Sequence, residues 1–292
     1  MDRQIWHQIR QAVRRADRIV PRGGRKTTYS DRLIVLLHIW CVWHDRPRCF
    51  ICDRTHLRPW LRPRRLPSYS QFCRRLHSRR VVALIDQSCR VLVQTLTPTG
   101  PVRALDGKAL AVSENSRDPD ARKGRGVGGF ARGYKLHARC GTQGVFEAVQ
   151  VTPLNAGETV VARDRLLTDL PPGTRVLADG NYDSDRLHRC IDALGSRLLT
   201  PLKGHARSPH RVRYMSAARR HLLAAWDADP DACRRQLRPR GCIERAFANL
   251  SNFGGGLTHL PPWARTLPRV RLWVMAKLIV YHARIHLRKS VA

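Results

Sequence analysis

Three acidic side chains stand where metal-assisted chemistry would need them in this 292-residue chain. Asp106 follows the short apolar run Val102-Arg-Ala-Leu105, so it is expected at or near the end of a buried strand, where an unpaired carboxylate is costly. Asp179 repeats the situation after Arg175-Val-Leu-Ala178 and opens the run Asp179-Gly-Asn-Tyr-Asp183. Two strand-end carboxylates facing each other repel unless a divalent cation lies between them. Glu244 is the only acid after Asp231, at the edge of an apolar helix face made by Ile243, Phe247 and Leu250, with Arg240 one turn before it. A hard cation held by such oxygens, Mg²⁺ with Mn²⁺ as its substitute, would activate a water or a 3′-hydroxyl for in-line attack at phosphorus. Taken singly, either aspartate reads as a turn residue and Glu244 as half of a surface ion pair; their order and basic setting favour the triad.

The elements that must position these groups fall into two parts. The first hundred residues read as helical: Ile5, Ile9, Ala12 and Val13 recur at helical spacing, Pro21 to Gly24 break the chain, and Ser30 caps a long apolar helix from Leu33. A capped helix from Pro67 carries Arg74, Arg75, Arg79 and Arg80, which fit a DNA groove or backbone as well as a solvated face, and a last helix runs from Val81 to about Leu96. Thr97 to Pro101 marks a boundary, giving regions 1–98 and 99–292. Beyond it the pattern predicts a strand at 102–105, a mobile basic glycine-rich loop from Arg117 to Arg132, and a hairpin of 134–140 and 145–151. A helix at 158–167, a strand at 175–178, a helix at 184–193, a strand at 197–201, a basic loop and helices near 240–252 and 268–288 complete it. Strands first and then alternation with helices is the order of a mixed α/β sheet flanked by helices. Lys135 and His137 are read as lying on opposite strand faces, and His137 is given no role.

Charge names the partner class. Lys and Arg number 54 against 22 Asp and Glu, a formal +32, so a polyanion is expected, and nucleic acid fits best. Arg240 and Arg245 suit phosphate contacts, with a structural pair to Glu244 as the plainer alternative. The longest apolar run, Leu33 to Trp43, is interrupted by His38 and falls well short of the ~20 residues a membrane span requires. No signal-type stretch accompanies Arg10, Arg14 and Arg15, and nine cysteines without a dense framework suit a reducing cytoplasm, so a cytoplasmic, nucleoid-associated location is expected. Cys49 and Cys52 lack a second ligand pair at zinc spacing.

Together, Ala104-Leu-Asp-Gly-Lys108, Gly133-Tyr-Lys-Leu-His137, Val151-Thr-Pro-Leu-Asn155, Leu177-Ala-Asp-Gly-Asn-Tyr-Asp183 and Ile243-Glu-Arg-Ala-Phe247 resemble, in order and over about residues 100 to 285, the DDE transposases of bacterial insertion sequences. The resemblance implies a ribonuclease-H-like core with a mixed five-stranded sheet, preceded by an all-α DNA-binding region. It also implies Mg²⁺ dependence, metal ligation by Asp106, Asp179 and Glu244, and cleavage at element ends with strand transfer. Double-stranded DNA and a homo-oligomer on that DNA are the implied partners. Arg240 and Glu244 match the family's Tyr, Arg, Glu, Lys signature, whereas Leu237 and Ser251 stand at its Tyr and Lys positions, and Glu158 stands where an aspartate is common. The rival readings are a metal-dependent nuclease that never joins DNA and a non-catalytic DNA-binding derivative.

Overall fold

A computed structural model describes residues 3–21, 27–96, 100–126, 128–204, 208–257 and 259–291. The chain forms two compact units, one of residues 1–97 with 249–292 and the other of residues 98–248. Residues 249–292 group with the N-terminal helices.

The helical unit contains α1 (Arg3–Ile19), α2 (Asp31–Trp43), α3 (Tyr69–Leu76) and α4 (Arg79–Leu96). The spacing of α1 is that of an amphipathic helix, and Ile5, Ile9, Ala12 and Val13 are all buried. Ser30 caps α2 by accepting from the Leu33 N–H, and Ser68 with Gln71 forms a capping box on α3. Helix α3 stops at Leu76, so Arg79 and Arg80 open α4 and do not belong to the capped helix predicted to carry them. The expected break at Pro21 to Gly24 lies mostly outside the described residues.

The sheet unit is built on six strands, one more than expected: β1 (Val102–Val112), β2 (Arg122–Gly126), β3 (Gly129–Gly141), β4 (Phe146–Pro153), β5 (Arg175–Leu177) and β6 (Arg197–Leu199). β3 runs antiparallel to β1, β2 and β4, while β1, β5 and β6 are mutually parallel neighbours, so the sheet is mixed. Helix α5 (Glu158–Val161) passes into a π-helical turn at Ala162–Leu166, and α6 (Asp185–Ala193) joins β5 to β6. On one side of the sheet Leu105, Val176 and Leu198 pack with Leu166, Tyr182, Leu187 and Ile191; a second cluster joins Leu177, Leu199 and Leu222. Apolar contact on both sides of β5 and β6 explains why these strands read as short unbroken hydrophobic runs.

Between β6 and the Glu244 helix, the expected basic loop holds α7 (Pro209–Arg213), α8 (Ala217–Ala228) and α9 (Pro230–Leu237). A 3-10 turn at Arg238–Arg240 leads into α10 (Gly241–Ser251), and α11 (Leu267–Val291) belongs to the helical unit. Val270, Trp273, Ile279 and Tyr281 of α11 are buried. Among the described residues no helix is long and apolar enough to cross a membrane.

Candidate active site

The parallel pairing of β1 with β5 places the two aspartates. Val102 pairs with Arg175 and Ala104 with Leu177; two residues further along each chain stand Asp106 and Asp179. β5 ends at Leu177, so Asp179 leaves the sheet and caps the 3-10 turn Gly180–Tyr182. Its Oδ1 accepts from the Asn181 N–H at 2.8 Å and its Oδ2 from the Asn181 side chain at 3.3 Å. Asp106 differs from expectation: β1 continues to Val112, pairing Asp106 with Ala138 on β3, so it sits mid-strand, just past the end of the parallel ladder.

Burial sets the electrostatics here. The Asp106 carboxyl is pushed up to about 6, first by desolvation and also by the charges of Asp179 and Glu158; the Gly107 N–H and Arg240 pull it part of the way back. The N–H of Gly107 donates to Asp106 Oδ1 at 2.7 Å. Gly107 is small for a reason: a Cβ there would meet Lys135 Cδ at 3.0 Å and Glu158 Oε1 at 3.2 Å. Glu158, in the first turn of α5, accepts from Lys135 Nζ at 2.7 Å, and the lysine is buried. Among the described residues the hydroxyl of the fully buried Tyr182 finds no hydrogen-bond partner, and its pKa is raised well above that of a free phenol by burial and by Glu158, Asp106 and Asp179.

The structure therefore brings Asp106 and Asp179 into each other's field and adds Glu158, while Glu244 is paired with Arg240. The Glu244 carboxylate is more than half exposed and lies 2.6 Å from Arg240. The same guanidinium is one of the charges acting on Asp106, so Arg240 does in this arrangement part of what a cation would do. Among the described residues no three His, Cys, Asp or Glu side chains lie together as a ready metal-holding set. The aspartates nevertheless fit a hard divalent cation chemically: they are like-charged oxygen donors, and Asp106 is desolvated enough to hold a proton up to about pH 6.

The helix behind Glu244 is packed as its pattern predicted, with Ile243, Phe247 and Leu250 buried and the Phe247 ring 5.2 Å from Phe146. Arg245 on the same helix is exposed. In the helical unit, Arg75 and Arg80 both bond Asp31, and Arg80 also bonds Asp17 at 2.6 Å, so these two arginines serve the packing of their own helices. Arg74 and Arg79 remain exposed.

Several working parts escaped the sequence. Asp183, at the end of the Asp179 motif, is buried, and Arg219 of α8 clamps it with two bonds of 2.9 Å. Burial pushes the Asp183 carboxyl up, but the His188 ring, the Arg219 guanidinium and the Lys203 N–H outweigh it and hold the acid well below the usual range. Nothing in the spacing pointed to Arg219. Glu158 and Lys135 had a better signal, since both lie in the quoted motifs. Lys135 and His137 are two residues apart on β3 and so share a face, contrary to the reading of opposite faces. His137 is buried, bonds Thr152 at 2.9 Å, and is lowered to about 4 by burial and then Lys135, which keeps its ring neutral.

Comparison with known proteins follows this geometry. The family described as Transposase DDE domain matches residues 97–282. The transposase for insertion sequence element IS1106 of Neisseria meningitidis serogroup B is 39% identical over 79 residues, 27% of this chain and 27% of that protein. The match thus spans about a quarter of the curated relative. A cryo-EM structure of a piggyBac transposase synaptic complex with hairpin DNA shares the fold with a TM-score of 0.52 over 98% of this chain and 72% of its own, at 10% identity.

Proposed function

Because this chain belongs to the Transposase DDE domain family, we propose that it cuts and rejoins double-stranded DNA at the ends of an insertion sequence, with Asp106, Asp179 and Glu244 as its catalytic carboxylates. The observation that carries the reading is the pair of aspartates beyond the β1 and β5 ladder, one of them raised to about 6 by burial and by its acidic neighbours. A carboxylate pair so little compensated is costly as structure and useful as a seat for a cation.

Asp106 and Asp179 would hold Mg²⁺ or Mn²⁺, with Glu244 joining once DNA is bound. When bound, the cation supplies Lewis-acid activation of the attacking oxygen and charge stabilisation at the scissile phosphate. The protein positions the rest. Asn181 fixes both oxygens of Asp179, Lys135 anchors Glu158 beside Gly107, and the Asp183 to Arg219 clamp holds the turn that carries Asp179. Arg240 releases Glu244 when a phosphate offers its guanidinium a bidentate partner. Arg245, Arg74 and Arg79 are exposed for backbone contacts, and two copies would hold the two element ends together.

The test is cleavage of DNA carrying an element end. Wild-type protein should nick it with Mg²⁺ or Mn²⁺, and Asp179→Asn should remove cleavage while duplex binding stays within a few-fold. A variant that loses binding and cleavage in equal measure would remove the catalytic role of Asp179. Cleavage without joined products would favour the nuclease reading.

A further inference from the structure

The basic segment 117–132, read from sequence as a mobile loop, contains a two-stranded ribbon. β2 pairs antiparallel with the start of β3, Lys123 opposite Arg132, Gly124 opposite Ala131, Arg125 opposite Phe130 and Gly126 opposite Gly129. Because side chains alternate along each strand, the ribbon has two unlike faces. One carries Lys123, Arg125, Phe130 and Arg132. The other carries Arg122, Gly124, Gly126, Gly129 and Ala131, and it lies against protein only at Gly124, where a Cβ would strike the Leu154 carbonyl at 2.6 Å; Arg122 and Gly129 are exposed.

On the front face Arg132 is engaged within the molecule: its guanidinium donates to the Asp118 and Ala121 carbonyls and braces the ribbon's base. Lys123 and Arg125 are exposed and have no ion pair among the described residues. Phe130 is 84% exposed, more than any other large apolar side chain among the described residues. The unbroken registers of β2 with β3 and of β3 with β1 put this front on the same sheet face as Asp106. From Ala138, which pairs with Asp106, to Phe130 is eight residues of strand, roughly 26 Å.

We infer that the β2–β3 ribbon is a duplex-distorting arm, Lys123 and Arg125 engaging phosphates while Phe130 wedges into a base step several base pairs away from the cleavage site. The inference rests on the functional reading above for its substrate. Its own ground is the coincidence, on one face of a ribbon, of free cations and an unsupported aromatic ring. An apolar wedge between base pairs unstacks and kinks DNA, and flanking cations offset that cost. At 3.4 Å per base pair, the reach from Asp106 corresponds to about seven or eight base pairs.

The experiment uses the full chain without divalent metal and a duplex about four helical turns long, taken from the DNA flanking the coding sequence, with 2-aminopurine placed at single positions. Wild-type protein should raise the fluorescence several-fold at one or two adjacent positions. Phe130→Ala should abolish that rise with an unchanged melting temperature, and Phe130→Trp should restore it. Lys123→Ala and Arg125→Ala should each lower the salt dependence of binding by about one unit of log–log slope. A fluorescence rise that survives Phe130→Ala, the absence of any rise in a bound wild-type complex, or no binding to duplex would overturn the inference. Adding Mg²⁺ to the same complexes separates the two readings: unstacking without cleavage upholds the ribbon's role and removes the proposed function.

Discussion

The two units of this protein differ in how they treat buried carboxylates. In the helical unit most buried ionisable groups are neutralised or paired: Arg80 lies between Asp17 and Asp31, Lys277 bonds Asp45 at 2.7 Å, and burial holds His38 and His282 down at about 3, uncharged, while the buried Arg48 has His77 and Cys73 as its partners. In the sheet unit, Arg219 with His188 and the Lys203 N–H satisfies Asp183, and Arg103 and Arg139 pair with Glu147, yet among the described residues Asp106, Asp179 and Glu158 share only Lys135 and Arg240. Pairing is what a fold does with charge it cannot expel. A carboxylate cluster left short of cations marks where the molecule holds charge for something else.

The comparison is most easily broken at its best-paired member. Arg219→Met leaves Asp183 buried without its cation and should cost about 3–5 kcal/mol by denaturant titration, against little for a surface pair. A loss below about 1 kcal/mol would show that Asp183 is not held as described.

The opposite sign is expected at Asp106. Its folded pKa of about 6 lies above the ordinary 3.8, so the fold prefers the protonated acid; this contribution is lost as pH rises from about 4 to above 6. Asp106→Asn should therefore raise stability at pH 8 by about 3 kcal/mol and flatten that part of the pH profile. Mg²⁺ should raise the melting temperature of the wild type and leave that of the variant unchanged.

The helical unit should respond to acid in the other sense. His38 and His282 titrate near 6.5 when unfolded and near 3 when folded, so the unfolded chain binds more protons between those values and stability falls as pH drops below about 6.5. Between pH 6.5 and 5 each histidine should cost about 2 kcal/mol, and His282→Gln should remove its share of the slope, read by thermal melts at the two pH values. At the small end, Arg234 and Asp231 pair at 2.7 Å with both side chains mostly exposed, and Arg234→Ala should shift stability by less than about 0.5 kcal/mol.

Much of the framework was legible because local pattern and burial agree in it. The spacing of α1, the Ser30 and Ser68 caps and the apolar runs of β5 and β6 each need only near neighbours to form. What escaped depends on distant partners. β2 is Arg122-Lys-Gly-Arg-Gly126, without a single β-branched residue, and becomes a strand because β3 offers it a ladder and Gly124 fits against Leu154. Helix α8 buries only Arg219 and Leu222, too thin a stripe to register as periodicity. The grouping of α11 with the N-terminal helices rests on contacts such as His38 to the Leu272 carbonyl, which no local window contains. At the site, the motifs singled out Asp106 and Asp179, each two residues beyond a paired position of β1 and β5. The state of Glu244, tied to Arg240, was legible only as one of two alternatives.

The most direct test of the central claim is a Mn²⁺ titration of the DNA-free protein followed by electron paramagnetic resonance. The wild type should take up the ion, Asp106→Asn and Asp179→Asn should lose it, and Glu244→Gln should keep most of it because Arg240 already occupies that carboxylate. Uptake that is indifferent to both aspartates would contradict the claim that they form the seat of the cation.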